Sequence, residues 1–134
     1  MASLAEINEF WGWTGLHAVE VLGENDFGNL MLRGADGGYW WLCPQELCCQ
    51  RVAPHRAALR QLSYNQQFLQ HWYAPELTAT ARAALGPLAA GRKYCMTVPS
   101  AQGGAADAAN LATAPWSLLL RCCGEVAEAF DDAL

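Results

Sequence analysis

The sequence predicts an α+β fold: a mostly antiparallel sheet, built from an N-terminal meander plus a later strand, with helices packed on one face. Three observations carry this. Short strand-like runs separated by turn residues fill His17 to Val52. Apolar residues at helical spacing fill the stretch from Pro54 to Leu85 and again from Trp116 to Phe130. No interior linker is long enough to divide the 134 residues, so one domain spanning 1–134 is expected.

Ser3 and Glu6 have capping-box spacing, so a helix is predicted over Leu4 to Trp11, and Gly12 to Gly15 breaks it. His17 to Leu22 reads as a first strand and Asn29 to Arg33 as a second. Asp36-Gly37 makes a tight turn, because this pair tolerates positive φ at little cost. Tyr39 to Cys43 is a third strand, rich in aromatics that suit a pleated surface, and Leu47 to Val52 a fourth. Pro54 opens a helical middle: one helix begins near His55, a second carries Phe68, Leu69 and Trp72, and a third begins at Pro75 and stops at Gly86. Arg92 to Val98 is the later strand. Ser100 to Ala109 reads as a Gly-containing loop and Asn110 to Thr113 as a short edge strand. The closing helix repeats Trp116, Leu119, Leu120, Cys123, Ala127 and Phe130 at three and four residues.

Hydrophobic residues make up 53% of the chain and charged residues 16%, which argues for a packed globule rather than a disordered segment. The net charge is −5, Lys93 is the sole lysine, and no basic run exists, so direct nucleic-acid binding is not expected. An acidic domain can instead attract a basic protein. The six cysteines lack CxxC spacing, so neither a zinc site nor a disulfide framework is expected, and buried free thiols of a reducing cytoplasm are. The first residues have no charged n-region and no long apolar run, and no stretch reaches membrane-span length; a cytoplasmic protein without membrane contact is the expectation.

No residues stand out for catalysis, metal or cofactor binding. His17, His55 and His71 have no metal-ligand spacing, Gly-x-Ser-x-Gly is absent, and Gly103-Gly104 lacks the Lys-Ser/Thr that a phosphate loop needs. What remains is surface. Glu24, Asp26 and Asp36 sit in hairpin loops, and Trp40-Trp41 must send one ring to each face of its strand. If helices cover one face, one tryptophan lies open beside Tyr39 and Arg33. Glu24, Asp26, Arg33, Asp36, Tyr39 and Trp40 are therefore the candidate partner-binding residues. A second candidate is a pocket between the sheet and the Ser100–Ala109 loop, with His71, Trp72, Tyr94, Gly103 and Gly104. Small-molecule binding there, or a dimeric structural role through Tyr39–Cys43, is the alternative to binding a foreign protein; both monomer and homodimer fit.

The stretch FGNLML at Phe27–Leu32, DGGYWWLCPQEL at Asp36–Leu47, LGPLAAGRKYCMTVP at Leu85–Pro99, then Gly103-Gly104 and Asn110-Leu111, resembles the C-terminal domain of type VI secretion system immunity proteins, a domain of unknown function often found after a GAD-like domain. The resemblance spans about residues 11–130. It departs at Pro44-Gln45-Glu46-Leu47, where Pro-Glu-Glu-Leu is common, and at His71-Trp72, where an acid often precedes the tryptophan. Little precedes Trp11, so no separate GAD-like domain is expected. The resemblance implies a non-enzymatic bacterial protein that binds a cognate secreted toxin in the cytoplasm and blocks it. Such toxins include nucleases, whose basic character an acidic inhibitor suits.

Overall fold

The computed structural model describes residues 3–133; Met1, Ala2 and Leu134, with the side chains of Asp132 and Ala133, lie outside the described residues. Helix α1 (Leu4–Trp11) begins on the anticipated capping box: the Glu6 amide donates to Ser3 Oγ at 3.1 Å, and the Ser3 amide donates to the Glu6 carboxylate at 3.3 Å. After a short 3-10 turn, four strands follow: β1 (Ala18–Glu24), β2 (Leu30–Gly34), β3 (Tyr39–Cys43) and β4 (Cys48–Ala53). They pair in chain order as an antiparallel meander. Helices α2 (Arg56–Leu62), α3 (Gln66–Tyr73) and α4 (Pro75–Leu85) come next, then β5 (Arg92–Met96), β6 (Leu111–Pro115) and the closing helix α5 (Trp116–Ala133).

The α+β class is what the structure shows, with two differences of arrangement. The later strand does not join the meander. β5 pairs with β6 as a separate two-stranded sheet, in the register Lys93↔Ala114 and Cys95↔Ala112. It touches the β1–β2 turn through one backbone bond, from the Tyr94 amide to the Asp26 carbonyl at 2.9 Å. β6 pairs with β5 along its whole length, from Arg92↔Pro115 to Met96↔Leu111, which the single backbone bond at the β1–β2 turn does not match.

The second difference concerns the helices, which cover both faces of the meander. Strand residues alternate between faces. Leu30, Leu32 and Leu42 meet Ile7 and Trp11 of α1 and Trp116, Leu120 and Ala127 of α5. Met31, Trp41 and Cys43 meet Trp72, with Phe68 and Leu59 alongside, on the α2–α3 side. The reason is composition: Leu30-Met31-Leu32 and Trp41-Leu42-Cys43 are apolar at every position, so neither face of β2 and β3 can be left to water. A third cluster joins Phe27 of the β1–β2 turn to Ala81 of α4 and to Tyr94 and Leu111 of the small sheet.

α1 and α5 approach closely because Gly124 has no side chain. A Cβ there would stand 2.6 Å from the Phe10 carbonyl oxygen. Beside it the Trp11 indole N–H donates to the Leu120 carbonyl at 2.9 Å, deep in the core. Among the described residues no helix is long and apolar enough to cross a membrane.

Gly124→Ala separates two effects. Alanine favours a helix by about 1 kcal/mol over glycine, but here its methyl meets backbone that cannot swing aside. Overpacking of that kind costs about 1–3 kcal/mol. Urea denaturation should therefore show a less stable variant; a gain in stability would mean that the two helices do not touch here.

Candidate functional site

The six residues expected to form one partner surface lie at opposite ends of the meander. The register Glu24↔Leu30 puts Glu24 and Asp26 at the β1–β2 end, and Ala18↔Gly34 puts Asp36 and Tyr39 at the β2–β3 end. The length of β2 between them is roughly 13 Å at ~3.3 Å per residue.

At the β2–β3 end the side chains bind one another. Asp36 accepts from the Gly38 amide at 3.1 Å, from the Trp40 indole at 3.4 Å and from Arg51 Nε at 2.9 Å. The Gly38 amide, then the Trp40 and Arg51 donors, hold the Asp36 carboxyl below the usual aspartate range. Arg33 pairs across strands with Glu20 at 3.1 Å, exposed to water. Tyr39 is buried. Trp40 is half-buried against the α1–α5 cluster, and Trp41 is buried on the other side, so neither ring is left open.

The β1–β2 end is more open. Glu24, Asn25 and Asp26 form one wall of a concavity of about 550 Å³; Tyr73, Thr78 and Arg82, from the α3–α4 corner, form the other. Asn25 fixes the corner: its Nδ2 donates to the Trp72 carbonyl at 2.7 Å, while its Oδ1 accepts the Phe27 and Asn29 amides. α4 starts immediately at Pro75 because Ala74 takes a left-handed conformation, φ 41°, which turns the chain between the helices. Tyr73 projects at the rim, 63% exposed. Asp26 faces Arg82 across water-exposed space at 3.9 Å.

Glu24 also has an inward duty. It receives Lys93 Nζ at 2.9 Å, and the lysine side chain is only 10% exposed. Its ammonium stands 4.9 Å from the centre of the Trp116 ring. The single lysine thus links the small sheet to the β1–β2 hairpin and to the first turn of α5.

The expected pocket does not assemble. His71 lies with Trp41, Phe68, Glu46 and Cys48 along a groove of about 330 Å³ beside β4. It tilts against the Trp41 ring at 4.9 Å and contacts Glu46 Oε1 through Nε2 at 3.0 Å. Trp72 is buried in the same layer, edge-on to Trp41. Tyr94, however, is buried in the third cluster, its hydroxyl donating to the Gly86 carbonyl at 2.6 Å. Gly103 and Gly104 shape a turn tied to Pro99, Val98 and Asn110. At Gly104 a Cβ would strike the Val98 carbonyl, which explains that glycine without a ligand.

Two features were not anticipated. Tyr73 and Arg82 reach the acidic hairpin only through the fold, and no local signal marks them. On α5, Leu118, Cys122, Val126 and Phe130 recur every four residues and are exposed, with Glu125 and Glu128 exposed next to them. Phe130, expected on the core stripe with Trp116, Leu120 and Ala127, is instead exposed and belongs to this row, because the last turns of α5 run past the layer that α1 covers.

Burial raises the thiols of Cys43, Cys48 and Cys95, and pushes those of Cys49 and Cys123 up to about 12. Near neutral pH they are therefore mostly protonated, so exchange through them is slow and quickens as pH rises. No family model, curated protein or solved structure matches the chain.

Two outcomes test this geometry. Glu24→Gln strands a mostly buried ammonium; because Glu24 itself is part-exposed, the cost should be about 1–2 kcal/mol. Lys93→Met removes that charge altogether and should cost less in the same urea titration. Greater damage from Lys93→Met would contradict the pairing. For Asp36, a depressed folded pKa means stabilisation present above the ordinary aspartate value and lost as pH falls through the lower folded one. Thermal melts from pH 6 to pH 2 should show Asp36→Asn losing less stability than the parent over the acid limb; parallel curves would show that the turn does not hold its carboxylate.

Proposed function

We propose that the chain is a non-enzymatic immunity protein, which binds a cognate secreted toxin in the producing cell's cytoplasm and masks its active surface. The observation that supports this best is the acid-lipped concavity at the β1–β2 end. Glu24 is engaged by Lys93, but Asp26, whose contact with Arg82 is a water-exposed 3.9 Å, keeps a carboxylate accessible beside the exposed ring of Tyr73, in a hollow large enough to receive a basic side chain of a partner. A tyrosine at the rim of a charged hollow supplies contact area at low entropic cost. The net charge of −5 adds long-range attraction toward a basic toxin, for which a nuclease is the fitting class. The exposed apolar row on α5 is a further surface that a partner would cover.

The test is capture of the toxin encoded beside this gene. The reading predicts a stable complex whose affinity falls at least about tenfold on Asp26→Lys or Tyr73→Ala, the size of a moderate interface contact. Asp26 is the better probe than Glu24, which also serves the fold. Failure of every neighbouring toxin to bind would sink the immunity reading. A tight complex indifferent to both substitutions would move the contact away from this hollow.

A further inference from the structure

Cys43 ends β3 and Cys48 begins β4, and the two are direct cross-strand partners. Opposed residues of an antiparallel pair share a face, and both cysteines line the groove beside His71. Such partners have Cα atoms about 4.5 or 5.5 Å apart, depending on which kind of ladder pair they form. Either distance falls inside the range of roughly 4.4–6.8 Å that a disulfide spans. The intervening turn is held by contacts that do not involve sulfur. The Leu47 amide donates to the Pro44 carbonyl at 3.1 Å, Ser100 Oγ donates to the Gln45 carbonyl at 2.9 Å, and Asn29 Nδ2 donates to Gln45 Oε1 at 3.1 Å. The fold therefore places the two cysteines opposite each other on one face without help from a bond between them.

We propose that Cys43 and Cys48 form a modification site: a thiol pair that a small-molecule disulfide of the glutathione type oxidises to an intramolecular bond. Cys48 is the more exposed of the two. Its thiolate attacks one sulfur of the reagent and expels one small thiolate, which takes up the proton that Cys48 gave to solvent. Cys43, deprotonated in turn, attacks Cys48 Sγ and expels the second small thiol. Two protein thiols are oxidised, and one reagent disulfide is reduced to two thiols.

The bond would tie together the ends of the turn that carries Glu46, and so fix the carboxylate that contacts His71. The state of the pair thereby shapes the groove under Trp41, Phe68 and His71. The other cysteines are placed differently. Cys49 packs toward the α1–α5 layer, and Cys122 is exposed on α5. Cys95 and Cys123 share a narrow crevice with Phe27 and Leu119 and are the competing pair.

The 134-residue chain is incubated with oxidised glutathione from pH 7 to pH 9, then alkylated and mapped by mass spectrometry without reduction. The proposal expects a peptide link between Cys43 and Cys48, glutathione adducts confined to Cys122, and a monomer unchanged in size by denaturing electrophoresis. The rate should rise towards about tenfold per pH unit, because protonated thiols limit the exchange. Cys48→Ser should abolish the link and Cys49→Ser should leave it. A link between Cys95 and Cys123 instead, or a Cys48 adduct that persists beside a free Cys43, would overturn it; so would no reaction at either cysteine in the parent chain and in Cys49→Ser.

Discussion

The burial of β2 and β3 between two layers of side chains is the constraint from which the rest follows. Both strands are apolar on both sides, so the meander cannot rest on one helical layer and expose its back to water. α1 and α5 must close one side and α2 with α3 the other. Two packed layers leave the working surfaces to the ends of the sheet and the edge at β4. The two concavities next to the acidic hairpin and His71 lie in those places.

Polar groups pin these layers at few points. Asn25 ties the β1–β2 turn to the end of α3, Asn29 bridges Trp41 and Gln45, and Lys93 ties the small sheet to Glu24. Each is a buried or half-buried group with its hydrogen bonds satisfied, which makes it specific as well as stabilising. They also locate the acidic hairpin relative to Tyr73, so the hollow proposed for a toxin is set by the fold rather than by a mobile loop.

Local structure was largely legible. The Ser3–Glu6 cap, the Asp36-Gly37 turn, strand Tyr39–Cys43 and the helix starting at Pro75 all follow from short-range chemistry and stand where the sequence puts them. Arrangement was less legible. Trp40-Trp41 correctly implied one ring on each face, but whether a face is covered depends on helices elsewhere in the chain, from α1 before the meander to α5 at the end. The pairing of β5 with β6 is likewise a choice between distant partners. The candidate site shows the same division. Glu24 and Asp26 could be read as hairpin acids, whereas Lys93 beneath Glu24 and Tyr73 beside it are consequences of tertiary contact. Asp36 has the same residue type and a similar loop, yet it is occupied by Gly38, Trp40 and Arg51.

Native-state hydrogen exchange of the amides tests the central constraint most directly. If two covered faces hold β2 and β3, the amides of Leu32 and Leu42 should exchange only through global unfolding, with the free energy obtained from urea denaturation. Those of α2, which has no fully buried side chain, should open locally at much lower cost. Slow exchange concentrated in the helices or in β5–β6, with β2 and β3 opening early, would contradict the account.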